Sequence, residues 1–116
     1  MASLREIQQR MLEFERARGW DKFLASQVFA HLIEELGEIS RYITVEEGYK
    51  VVGLGHEAPD RSHLPREFAQ VFSLFIQLAN HFGVDLESAV VREMEIMEER
   101  FPAKEWAEEI SRRGQE

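Results

Sequence analysis

The run Glu34-Glu35-Leu36-Gly37-Glu38 places three carboxylates within five residues of a stretch that is otherwise strongly apolar. Further along, Glu67 opens a second long apolar stretch, with Gln70 one helical turn on. Carboxylates that face each other across two packed helices supply hard oxygen donors, the set that Mg²⁺ prefers. The chemistry such a site would support is the neutralisation of phosphate charge by the ion and the activation of a water by a carboxylate.

Acids on a helix ordinarily mean a solvated face, since Asp and Glu are seldom buried unless paired. Two features turn the reading toward a site. The acids lack Lys or Arg partners four residues on, and only Arg41 follows Glu38 at the three-residue spacing. Glu35 also borders the apolar stripe formed by Val28, Leu32, Leu36, Ile39 and Ile43, where an unpaired carboxylate is costly without a cation. At ~100° per residue, His31, Glu35 and Glu38 share a line beside that stripe, with Glu34 flanking them. His31 then sits one turn from Glu35 and reads as its hydrogen-bond partner rather than as a metal ligand. On the later stretch Phe68, Val71, Phe72, Phe75, Leu78, Ala79 and Phe82 form an apolar arc, read as core, with Glu67 on its border. The two polar edges meet if the helices pack.

Other chemistries find little support. The absence of cysteine excludes disulfides, thiolate metal sites and cysteine nucleophiles. Gly53-Leu54-Gly55 is not a phosphate loop, because no Lys-Ser/Thr and no strand context follow. No serine has a His and Asp constellation, and no Glu-x-x-His pair of the di-iron bundles occurs. His56 and His63 lie in or near a long connection and read as solvent-facing, and His81 as a cation at a helix C-terminus.

The elements that must position these residues are helices. Ser3 with Glu6 reads as a capping box for a first helix bearing Leu4, Ile7, Met11 and Phe14, up to Gly19. Asp21 is expected to cap a second helix to about Thr44. The long connection from Val45 to His63 contains Gly48, Gly53, Gly55 and Pro59, with Tyr49-Lys50-Val51-Val52 too brief an extended run to define a sheet. Pro65 suits the first turn of a third helix that stops at Gly83. Asp85 caps a fourth, which ends before Phe101-Pro102, and a short amphipathic helix from about Lys104 to Arg113 follows. The fold class expected is all-α, a bundle of four to five helices.

At 116 residues the expectation is a single domain over residues 1–116, and apolar residues at 44% argue against disorder. A net charge of −8 argues against a nucleic-acid polymer, although a divalent cation can bring a nucleotide to an acidic pocket. The charged N-terminus and the lack of a run of ~20 apolar residues lead to the expectation of a cytoplasmic protein without a membrane span.

The order His31-Leu32-Ile33-Glu34-Glu35-Leu36-Gly37-Glu38-Ile39, then Glu67-Phe68-Ala69-Gln70, then Leu78 through Leu86, resembles the MazG-like, all-α nucleotide pyrophosphohydrolases. The ending Met94 through Arg100-Phe101-Pro102 is similar to that family's C-terminal motif, so the resemblance spans about residues 21–102. It implies a Mg²⁺-dependent enzyme, with Mn²⁺ as a substitute, that cleaves a nucleoside triphosphate to a monophosphate and pyrophosphate. It further implies that Glu35, Glu38, Glu67 and Gln70 form the metal-ligand set. Glu34 and Glu35 would be the catalytic carboxylates, with His31 and Arg100 toward the substrate. Assembly as a homodimer or homotetramer, mainly through the second and third helices, is also implied. The chain departs from the pattern at Gln70, where the family has Asp, at Glu93, where a Lys that meets phosphate is common, and at Met97, often Asn. These departures give the alternative expectation, a catalytically degenerate helical oligomer that binds a nucleotide or a protein.

Overall fold

The computed structural model describes residues 1–115 and contains five α-helices. They are α1 (Leu4–Ala17), α2 (Ala25–Glu46), α3 (Leu64–His81), α4 (Leu86–Arg100) and α5 (Ala103–Arg113), with 3₁₀ turns at Trp20–Lys22 and Arg61–His63. Among the described residues there is no strand, only one isolated bridge between Val52 and His56 in the long connection. The all-α expectation is met. No helix among the described residues is long and apolar enough to cross a membrane.

The helix boundaries follow local chemistry. The Ser3 hydroxyl accepts from the Glu6 backbone N–H at 3.1 Å and so caps α1. Pro65 lies in the first turn of α3, where its missing N–H costs nothing. α3 ends in a Schellman motif: the Val84 N–H donates to the Ala79 carbonyl at 3.0 Å and the Gly83 N–H to that of Asn80 at 3.1 Å. Gly83 holds φ +66° to make this turn. A Gly83→Ala variant is therefore expected to lose about 1 kcal/mol of stability in chemical denaturation, the cost of a Cβ in the left-handed region. An unchanged midpoint would show that the turn is not held as described.

One boundary and one cap contact differ from the sequence reading. Asp21 does not cap α2; it lies inside the Trp20–Lys22 turn, and α2 begins at Ala25. The chain is diverted by Gly19 at φ +72° and by aromatic packing, with the Trp20 ring edge-on to Phe14 at 5.5 Å. The Leu24 N–H instead donates to the Gln27 side-chain oxygen at 2.9 Å, which satisfies one free donor at the start of α2. Asp85 stands at the N-cap position of α4, but its carboxylate accepts from the Ser88 hydroxyl at 2.8 Å and from Arg5 at 3.0 Å. Arg5 also pairs with Glu87 at 2.9 Å, so this cluster ties α4 to α1.

The core is small. α2 packs along α3, α1 lies across α3, and the buried apolar residues are Val28, Leu32, Ile76 and Ala79. No residue of α4 or α5 is buried. The phenylalanine arc of α3 is not core in this chain: Phe68, Phe72 and Phe75 are 58%, 46% and 46% exposed. Among the described residues no element covers that face. The radius of gyration is 18.8 Å, against about 13 Å for a compact domain of this length.

Candidate functional site

α2 and α3 present their polar borders along one packed pair, and the residues singled out by spacing fall on them. On α2, His31 Nε2 lies 3.5 Å from Glu35 Oε1, the partnership expected one turn apart. Glu35 is half-buried beside the apolar stripe, whereas Glu34 and Glu38 are exposed. Glu38 pairs with Arg41 at 3.0 Å. On α3, Glu67 is half-buried, and its Oε2 is closed to solvent without any hydrogen-bond partner. Gln70, one turn on, is exposed.

An orphaned carboxylate oxygen is what a cation ligand looks like without its cation, since burial of an unpaired anionic oxygen is otherwise uncompensated. The donors available here, carboxylates and one amide oxygen, are the hard set suited to Mg²⁺. Among the described residues, however, no three His, Asp or Glu side chains stand in a group able to hold a metal ion. Glu35, Glu38 and Glu67 are therefore on facing helices without being gathered at one point. Arg100 ends α4, with its guanidinium over the Phe101 ring at 5.0 Å, and no hydrogen bond or ion pair among the described residues joins it to the acids of α2 or α3.

Next to His31 the surface opens into two adjoining cavities. One, of about 420 Å³, has His31, Phe23 and Leu74 in its walls. The other, of about 320 Å³, is lined by Leu12, Glu15, Asp21 and Asn80 among others. Trp20, Phe23, Val28 and Gln77 belong to both, so the cavities share an aromatic wall. The Gln77 amide donates to the Trp20 carbonyl at 3.3 Å and holds that wall against α3.

Glu15 is the residue that spacing arguments passed over. It is 1% exposed, in a stretch rich in Glu and Arg that reads as a solvated helix face. Its Oε2 accepts from Asn80 at 3.0 Å, and its Oε1 has no partner. Burial pushes the Glu15 carboxyl above the usual range, against the lowering effect of the Asn80 hydrogen bond. The available signal was its position one turn from Met11 and Leu12, on the side of α1 that faces α3.

No family model matches the sequence. The chain is similar to human dCTP pyrophosphatase 1, with 28% identity over 102 residues, which covers 87% of this chain and 60% of the relative. The chain thus spans less than two thirds of that relative's length. The similarity is distant, and the relative is by name a nucleotide pyrophosphatase.

Proposed function

We propose that this chain is a nucleotide pyrophosphohydrolase whose reaction is run by the acids of α2 and α3. The observation that carries the reading is the buried, unpartnered Oε2 of Glu67, set on the helix that packs against α2, the element bearing Glu34, Glu35 and Glu38. The distant similarity to a dCTP pyrophosphatase supports it. Glu35, Glu38 and Glu67 would hold Mg²⁺ or Mn²⁺, with Gln70 adding a neutral amide oxygen. Side-chain rotation, or a second copy of the chain, would complete that convergence. The ion, when bound, neutralises phosphate charge.

The residues themselves do the rest. Glu34, exposed and free of ion-pair partners among the described residues, positions the attacking water and accepts its proton. The water oxygen bonds to the α-phosphorus as the bond to the bridging oxygen of the β-phosphate breaks, so a nucleoside monophosphate and pyrophosphate leave. His31 keeps Glu35 oriented through their contact, and Arg100 supplies a cation for the phosphates if an assembled partner brings it there. We also propose that the working form is a homo-oligomer, either dimer or tetramer. An open chain with few buried apolar residues and a wide exposed apolar surface supports this.

Pyrophosphate release from a panel of ribo- and deoxynucleoside triphosphates, with Mg²⁺ and with Mn²⁺, tests the reading directly. Gln70→Asp belongs in the same assay. It replaces a neutral donor by an anionic one and is expected to tighten metal binding and raise turnover about tenfold, or 1.4 kcal/mol. The shorter side chain limits the gain. Glu93→Lys should add to it by exchanging a charge that repels phosphate for one that attracts it. If parent and double variant both bind Mn²⁺ yet release no pyrophosphate from any nucleotide, the chain is a binding protein rather than an enzyme.

A further inference from the structure

We propose that Glu15 is a proton-operated latch: as a neutral acid it keeps α1 seated on α3, and as a carboxylate it releases α1. This holds whether or not the acids of α2 and α3 run a hydrolysis, because it concerns only how α1 is fastened. The fastening is polar. The two buried residues of α1 are Gln8 and Glu15, while its apolar Leu4, Met11 and Leu12 are half-buried. α2 and α3, by contrast, share the buried apolar residues Val28, Leu32, Ile76 and Ala79. A helix with few buried apolar contacts is a unit that can detach while the rest stays folded.

A chain of hydrogen bonds leads from the α3–α4 turn to Glu15. The Leu86 N–H donates to Gln8 Oε1 at 3.0 Å and Gln8 Nε2 to the Val84 carbonyl at 2.7 Å, so the Gln8 amide has one orientation. Gln8 Nε2 also donates to Asn80 Oδ1 at 2.9 Å, which leaves the Asn80 nitrogen to donate to Glu15 Oε2 at 3.0 Å. The other oxygen, Oε1, is closed to solvent and has no partner. A neutral acid meets this setting with its carbonyl on Asn80 and only a hydroxyl unsatisfied. A carboxylate leaves a charged oxygen without water or donor, the far more costly case.

The charges around Glu15 do not remove that cost. Arg16, on α1 itself, favours the carboxylate, whereas Asp21, in the turn that follows, opposes it. α3 adds His81 to the same cavity wall, and α2 adds Val28, which is uncharged. From α4, Asp85 is already paired with Arg5 at 3.0 Å. Burial prevails and holds the Glu15 carboxyl above its ordinary range, ahead of the lowering by Asn80. Between the two ranges the seated helix keeps a proton that the released helix gives up. The seated-to-released ratio therefore falls by up to about tenfold per pH unit as pH rises, and levels off once the seated form has also ionised.

Trp20 reports this motion, since its ring sits edge-on to Phe14 of α1 at 5.5 Å. In a Trp106→Phe background it is the sole tryptophan. Its emission is expected to shift reversibly to the red as pH is raised from about 4 to about 9. Over the same range hydrogen exchange, corrected for its intrinsic pH dependence, should accelerate about tenfold or more in α1 while α3 stays protected. Glu15→Gln and Glu15→Met preserve side-chain length and have no proton to lose. Both should show flat emission and pH-independent exchange in α1. His81→Gln should keep the parent transition, which separates Glu15 from the histidine on that wall. A parent without the shift, a shift that survives in either Glu15 variant, or one lost in His81→Gln would overturn the latch. So would loss of protection in α3 to the same extent as in α1, the mark of global unfolding. If one Glu15 variant does not fold, the other decides. Should neither fold, Glu15 is needed for folding itself and the latch is overturned.

Discussion

Glu67→Gln is expected to lower pyrophosphate release about a hundredfold while leaving the fold intact or slightly more stable. The substitution preserves shape and removes one unit of charge from a half-buried position whose Oε2 has no partner in the protein. Loss of an anionic ligand from a divalent ion in that environment is worth about 3 kcal/mol, hence the factor. The stability expectation has the opposite sign, because an uncompensated buried carboxylate is a cost that a neutral amide reduces. Activity and melting temperature should therefore move apart, which distinguishes lost chemistry from collapse. Glu35→Gln and Glu38→Gln should weaken Mn²⁺ binding in calorimetry alongside it. Unchanged metal affinity in all three variants would remove the site as drawn.

What the sequence revealed, it revealed through local chemistry. The ends of α1, α3, α4 and α5 fall where Ser3, Pro65, Gly83 and Pro102 require them, since caps and backbone restrictions act over a few residues. The partnership of His31 with Glu35 follows from helical geometry alone. The turn at Trp20–Lys22 was not legible, because it depends on Phe14 packing across the bend and on Gly19 turning left-handed. Asp21 is a good capping residue in a place where the helix does not begin.

Burial was harder to read, for a different reason. Periodicity shows that Phe68, Phe72 and Phe75 share a face with Ala79, yet it does not say whether this chain has anything to set against that face. Glu15, which spacing arguments passed over, is the opposite case. A carboxylate among Glu13, Arg16 and Arg18 reads as solvated, and only the tertiary contact with Asn80, far along the chain, accounts for its burial. The misread arc and the overlooked carboxylate both come from not knowing which helix lies opposite, information that no single helix contains.

The exposed phenylalanines lead to the prediction that bears on how the working molecule is built. Phe72→Asp with Phe75→Asp is expected to convert a dimer or tetramer into a monomer at micromolar concentration. Both side chains lie on α3 and are 46% exposed, so each has apolar surface left to bury against a partner. Removing that burial costs about 1.5–3 kcal/mol per side chain. Desolvating a carboxylate in its place adds more. A combined loss near 6 kcal/mol weakens association by roughly ten-thousandfold. The intrachain core should survive, because Ile76 and Ala79, which pack inside the chain, are untouched. Leu54→Asp is the matched control: it lies in the long connection, is 74% exposed, and should leave assembly as it was. Sedimentation velocity separates the outcomes. A parent that sediments as a monomer would refute the oligomer outright. A parent oligomer that the double variant leaves intact would place the interface away from this face, on the exposed apolar residues of α2, such as Phe29 and Ile33, or on α4 and α5, which have no buried residue. If assembly through α3 is what brings Arg100 of one copy toward the acids of another, the monomeric variant should stay helical and lose turnover together with its partner.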